Sequence, residues 1–174
     1  MLNKHRELEI RKVSERERIV VLKLAEQIFD FFDYYWFKKW LLRSTILLAE
    51  LSRKPVGIAE LVVRKSICGT TGVIMYLGVI PEARGKGIGK ALVKESEKFF
   101  MNRGIRVFMA STRSWNKTSI TLFKKLGYRV LELSYLYKHL NYELVYRLIA
   151  SLHAYEDDII FVKSLDRNCI LEHI

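Results

Sequence analysis

The chain has 174 residues, 50% of them hydrophobic, and a mean hydropathy of +0.04, which suits one globular domain with a full core. No run approaches the roughly 18 uninterrupted apolar residues of a membrane span, and residues 1–7 run into charges instead of a signal-peptide core, so a cytoplasmic setting is expected. The net charge of +11 is uneven: residues 82–125 hold eleven Lys or Arg against three acids, and residues 126–174 hold five against seven, so the middle of the chain is the part that attracts polyanions.

Residues 7–13 alternate charged and apolar side chains like a short edge strand, and Ser14 with Glu17 has the spacing of a capping box. Ile19, Leu22, Ala25, Ile28 and Phe29 then give a helical stripe to about residue 32, followed by a second, unusually aromatic helix over residues 34–42. Residues 45–51 and 56–64 read as a hairpin separated by residues 52–55, and residues 73–80 as a further strand that Pro81 ends.

Ile88, Leu92, Val93, Phe99 and Phe100 recur at helical spacing up to Gly104. A strand over 105–110, a helix over 117–126 with Asn116 as its N-cap and Gly127 as its stop, and a strand over 128–133 follow. One more helix over about 136–152 and a last strand over 159–165 complete an α/β domain with a mixed sheet, and the tail from Asp166 carries no pattern. Cys68 and Cys169 show no CxxC spacing and no nearby His-rich ligand set, which argues against a zinc site and a disulfide framework; reduced thiols are expected.

The chemical signal is the stretch from Val79 to Lys90, in which Gly85, Gly87 and Gly89 separate the end of a strand from the start of a helix. Such a junction points backbone N–H groups at one spot, with about half a positive charge from the helix dipole, and suits phosphate. Arg84, Lys86 and Lys90 reinforce it. A dinucleotide fingerprint does not fit, because no third glycine lies three residues after Gly87, and a Walker loop does not fit, because Arg84 and Ala91 stand where it needs glycine and Ser or Thr.

The Arg-x-x-Gly-x-Gly pattern at residues 84–89 resembles the pyrophosphate-binding motif of the GNAT superfamily of N-acetyltransferases. Asn116 through Leu126, Gly127 and Tyr128 is similar to that family's second cofactor-contacting segment, and residues 157–165 to its closing strand. The resemblance runs from about residue 7 to residue 165. It implies a single acetyltransferase-like domain over residues 1–174, with a mostly antiparallel sheet flanked by helices and the helix at 136–152 as an addition between the last two strands.

The resemblance also implies acetyl-CoA as cosubstrate. The strand over 73–79 would splay from the one over 105–110 to admit the pantetheine arm, Leu77 and Val79 would bind it through backbone groups, and the Val79 N–H would stabilise the oxyanion. Arg84, Gly85, Lys86, Gly87, Ile88, Gly89 and Lys90 would hold the pyrophosphate, with Asn116 and Phe123 as further cofactor contacts. The expected reaction is direct attack of a primary amine, on a small molecule or a peptide. Phe123 stands where the family often has a tyrosine acid, and Ser111 where some members have a glutamate base, so Tyr76 and Glu60 are the substitute candidates for proton transfer. A non-catalytic acyl-CoA sensor of the same fold stays open as an alternative, binding of nucleic acid is the weakest reading, and the helix at 136–152 could cover the acceptor or form a homodimer contact.

Overall fold

The computed structural model describes residues 7–166 and 168–174. Its strands are β1 (Leu8–Lys12), β2 (Thr45–Leu51), β3 (Lys54–Ser66), β4 (Gly69–Val79), β5 (Val107–Thr112), β6 (Arg129–Glu132) and β7 (Ile159–Ser164). Its α-helices are α1 (Arg18–Ile28), α2 (Phe31–Trp40), α3 (Ile88–Met101), α4 (Lys117–Lys125), α5 (Leu133–His139) and α6 (Tyr142–Leu152). The strands form one mixed sheet in the order β1-β2-β3-β4-β5-β7-β6, with β4 and β5 parallel over Thr71–Val107 to Ile74–Ala110. The chain divides into two compact units, residues 1–61 with 76–96 and residues 62–75 with 97–174. Among the described residues no helix is long and apolar enough to cross a membrane.

In the first unit β2 pairs antiparallel with β1 and β3. Ile46, Leu48 and Ile58 meet Val21, Leu24 and Ala25 of α1 and Phe37 of α2 in one buried cluster. The expected capping box forms: the Glu17 carboxylate accepts from the Ser14 N–H at 3.0 Å and from its hydroxyl at 2.6 Å. Arg11 joins that corner to the sheet, reaching Glu17 at 2.7 Å and Glu50 at 2.9 Å, and this holds the Glu17 carboxyl down to about 2. The helical stripe expected to reach residue 32 stops earlier. Phe29 is extended, and Asp30 restarts the chain by accepting from the Asp33 N–H at 2.8 Å, so the aromatic helix begins at Phe31 rather than at 34. The hairpin turn is also tighter than expected, with Ser52 and Arg53 at φ of 52° and 64° and Lys54 and Pro55 already within β3.

In the second unit, one sheet face presents Val62, Val73, Val107, Met109, Ile160 and Val162 to Leu136, Val145, Leu148 and Leu152 of α5 and α6. Rings fill another part of this unit: Phe100 stacks on Phe108 and Phe123 on Phe161. Gly72 is required by that packing, since a Cβ there would lie 2.4 Å from the Phe100 ring. Lys163 fastens the end of α4 and the last turns of α3, donating to Glu97 at 2.9 Å and to the Leu126 carbonyl at 3.0 Å.

Three expectations for this unit are corrected. The single helix over 136–152 is two helices, because Leu140 is extended and Asn141 caps a new start by accepting from the Leu144 N–H at 2.9 Å. The tail is not featureless: Leu171 is fully buried in the core cluster, and the Arg129 guanidinium donates to the Leu171 and Ile174 carbonyls. Cys68 and Cys169 are not reduced thiols but a disulfide, with Cα atoms 4.5 Å apart. Spacing rules read local patterns, and these two residues lie 101 positions apart in sequence, so only the fold brings the turn after β3 and the tail together. A cross-link over so long a loop restrains the unfolded chain strongly; Cys169→Ser is expected to cost about 2–4 kcal/mol, read as a lowered midpoint in urea unfolding, and reduction of the native protein should reproduce that loss.

Candidate active site

The β4–α3 junction is built from the strand upward. Pro81 ends the ladder and opens a short 3-10 turn over Pro81–Ala83, in which Ala83 is buried. Arg84 folds back, its Nε donating to the Val79 carbonyl at 3.0 Å, and Lys86 donates to the Glu82 carbonyl at 2.7 Å. Gly85 and Gly87 both take positive φ, +75° and +79°, a region that side chains disfavour. Gly87 accepts the first helical bond, from the Ala91 N–H at 3.0 Å. By helix geometry the N–H groups of Ile88, Gly89 and Lys90 therefore precede any intrahelical acceptor and carry the positive end of the dipole.

The seating of this helix end is also local. Ile88 is 2% exposed and packs at Gly57, where a Cβ would lie 3.3 Å from Ile88, 3.2 Å from Leu92 and 3.0 Å from the Gly78 carbonyl. On Gly78 a Cβ would fall 2.1 Å from Ile28 of α1. Two glycines thus let β3, β4, α1 and α3 close up within one unit, and the loop stands on a rigid base. Above the loop the opposite holds: a Cβ built on Gly85 or Gly87 meets no atom within 4 Å. An open, cationic cradle of helix-start N–H groups fits the phosphates of a coenzyme.

Leu77 and Val79 are half-buried on β4 just before the loop. Tyr76 is nearby in sequence but serves the aromatic cluster, its ring 5.4 Å from Phe29 and 5.9 Å from Phe37. Glu60 lies on β3 opposite Ile46 and is fully buried. Its Oε1 accepts from the Ser44 hydroxyl at 2.5 Å, while Oε2 has no partner among the described residues. Burial pushes its carboxyl up to about 8, against a smaller lowering by the Ser44 bond. Tyr76, Leu77, Val79, Arg84–Lys90 and Glu60 therefore all belong to the first unit.

Asn116, Phe123 and Ser111 belong to the second. Asn116 caps α4 as expected, accepting from the Ser119 N–H at 3.2 Å and donating to the Thr112 hydroxyl at 3.1 Å. Phe123 is 3% exposed, stacked on Phe161 at 4.4 Å and edge-on to Tyr128 at 5.0 Å. Its ring packs in the core of the second unit. Ser111 donates to Asp157 at 2.5 Å, and burial raises the Asp157 carboxyl above its ordinary range. The sequence marked the acidic turn but not this pairing, since it joins residues 46 apart.

A mixed-sheet α/β domain with an open helix start after a central strand has a place suited to the phosphates of a coenzyme. The chain belongs to the acetyltransferase (GNAT) family, whose model matches residues 13–128. It is 27% identical over 143 residues to an uncharacterized N-acetyltransferase of Methanocaldococcus jannaschii, covering 71% of this chain and 61% of that protein. Over 60 residues it is 37% identical to the mouse thialysine N-epsilon-acetyltransferase, covering 33% of this chain and 35% of that one. It spans only 20% of the mycothiol acetyltransferase of Pseudarthrobacter chlorophenolicus, with 32% identity over 66 residues and 38% of this chain. Among solved structures, a GNAT acetyltransferase of Staphylococcus aureus shares the fold at a TM-score of 0.69 and 13% identity, covering 92% of this chain and all of that one. Arabidopsis thaliana Naa50 bound to the bisubstrate analogue CoA-Ac-MVNAL does so at 0.63 and 19%, covering 91% and 99%.

Gly87→Val forces a branched side chain into positive φ at the mouth of the cradle. We expect it to remove detectable binding of a pyrophosphate-bearing ligand in calorimetry and to lower stability by about 1–3 kcal/mol from backbone strain; retained affinity at full strength would refute the cradle.

Proposed function

We propose that this single domain moves an acetyl group from acetyl-CoA to a primary amine by direct attack in a ternary complex. The observation that carries the reading is the open cradle at Gly85 and Gly87, at the start of α3 directly after β4, in a chain of the acetyltransferase family. The amides of Gly85 through Gly89 would hold the pyrophosphate, with Arg84, Lys86 and Lys90 adding charge. Backbone groups of Leu77 and Val79 would hold the pantetheine arm, and the Val79 N–H would stabilise the oxyanion of the tetrahedral intermediate. The bisubstrate analogue CoA-Ac-MVNAL on the Arabidopsis protein and the thialysine N-epsilon-acetyltransferase of mouse support an amine acceptor on a peptide or a small molecule. The Cys68–Cys169 bond weighs against the expected cytoplasmic setting, because disulfides are rare in a reducing cytosol.

In this reading Glu60 takes the proton of the attacking amine. A carboxyl titrating near 8 is matched to an ammonium far better than an ordinary carboxylate is. Tyr76 is the second candidate, for protonating the leaving thiolate. One observation favours a domain that binds acyl-CoA without turnover: the position often held by a tyrosine acid is Phe123, deep in the core.

Calorimetric titration with acetyl-CoA, against ATP and a nicotinamide dinucleotide at the same salt, tests the binding reading, and release of free thiol in the presence of amine acceptors then tests turnover. Selective binding with thiol release is expected. Binding without release would establish the sensor instead, and equal binding of all three ligands would sink both. Phe123→Tyr should leave the rate no higher and destabilise the fold by about 1–3 kcal/mol, because the new hydroxyl would be buried among rings; a faster enzyme of unchanged stability would contradict the core placement.

A further inference from the structure

Glu60 is fully buried among Ile46, Ile58 and the helices of the first unit, so any proton it takes needs a way out. A pocket of about 430 Å³ has Lys12, Ser14, Arg18 and Ser44 in its lining, together with Ile46, the residue opposite Glu60 across the sheet. Ser44, in that lining, donates to Glu60 at 2.5 Å. Its hydroxyl oxygen also lies 3.1 Å from the Trp40 carbonyl, in the last turn of α2.

A serine hydroxyl carries one proton and two acceptor lone pairs, so it cannot donate to both oxygens at once. With Glu60 ionised, the hydroxyl donates to the carboxylate. With Glu60 protonated, the carboxyl O–H can donate to Ser44 Oγ, and the hydroxyl is free to turn to the Trp40 carbonyl. Both arrangements fit the same heavy-atom positions, which makes Ser44 a two-position rotor set by the protonation of Glu60.

We propose that Ser44 is the relay through which Glu60 exchanges its proton with water in the pocket lined by Lys12, Ser14 and Arg18. The proposal rests on the reading of Glu60 as the group that accepts the amine's proton. In the step, the Glu60 O–H breaks as its proton passes to Ser44 Oγ, and the serine's own proton leaves to a pocket water. Glu60 is left as carboxylate, Ser44 as a neutral hydroxyl, and the water as hydronium that passes to bulk. The hydroxyl then turns back to the carboxylate, and no electrons are exchanged. The titratable groups packed against the same cluster are Tyr34 of α2 and Tyr76 of β4, and Lys12, Glu15 and Arg18 line the pocket. α1 contributes apolar side chains to that cluster.

The experiment follows the carboxyl directly by infrared difference spectroscopy across pH 5 to about 10, in the wild type, Glu60→Gln, Ser44→Ala and Ser44→Thr. In the wild type a protonated-carboxyl band absent from Glu60→Gln should fade with a midpoint near 8. Ser44→Ala removes the bond that favours the ionised form, so the midpoint should move to higher pH. The rate of thiol release at neutral pH should fall by about tenfold or more, and Ser44→Thr should restore both. Should Ser44→Ala fail to melt cooperatively, Ser44→Cys keeps a side chain of similar shape with a weaker donor, and the same upward move is expected. An unchanged midpoint in Ser44→Ala or Ser44→Cys, or a wild-type band that fades in the ordinary carboxylate range, overturns the relay. Calorimetric binding of acetyl-CoA to each variant keeps the two readings apart: its absence in the wild type defeats the acetyltransfer reading, and the infrared midpoint judges the relay independently.

Discussion

The close approach of backbones at Gly57 and Gly78 is the constraint on which the first unit depends. A Cβ at Gly57 would press on the Gly78 carbonyl at 3.0 Å and on Leu92 and Ile88 of α3, and one at Gly78 would overlap Ile28 of α1 at 2.1 Å. Removing both side chains lets a helix pack tightly on β3 and β4 at the point where β4 hands over to the loop. Interiors at crystal-like density tolerate little slack, so the first turn of α3 is held in one place while the loop above it stays open. Rigid support with an empty mouth is the condition for a preformed anion site, whose N–H groups need not be reorganised when phosphate arrives.

The basic character of the chain acquires meaning from this geometry. Arg84 and Lys86 do not simply add to a diffuse field, because each donates to a carbonyl of its own turn, Val79 and Glu82. Those bonds brace the loop and bring positive charge to its rim. In the second unit part of the basic excess is neutralised structurally, as Lys163 meets Glu97 at 2.9 Å and Arg113 meets Glu156 at 2.7 Å.

Much of this was legible in the sequence where the signal was local. The capping box at Ser14 and Glu17, the strand stop at Pro81, the glycine loop and the Asn116 cap all rest on neighbours a few positions apart, and each occurs where the pattern placed it. Periodicity failed where two helices meet end to end. Phe29 and Leu140 continue the apolar spacing although the backbone there is extended, since a side chain can remain in register with a core across a break. What stayed hidden was long-range. The Cys68–Cys169 bond, the Ser111–Asp157 pair and the Ser44 donor of Glu60 join residues 101, 46 and 16 positions apart, and no periodicity or motif in the sequence pairs them. For Glu60 the sequence offered strand alternation alone, which cannot say that Ile46 stands opposite it or that one carboxylate oxygen has no partner among the described residues.

That buried carboxyl carries a cost whose sign is informative. Its folded value lies above its unfolded one, so the folded protein keeps a proton that the unfolded chain releases. The stability this represents is intact below about 4.5 and is lost as pH rises towards 8. An amide at residue 60 would avoid the loss, and an apolar side chain would match Ile46 and Ile58 around it. Packing alone therefore gives no reason for glutamate at this position. A carboxyl that burial raises to about 8, with the Ser44 hydroxyl bonded to it, is the feature on which the proposed proton transfer rests.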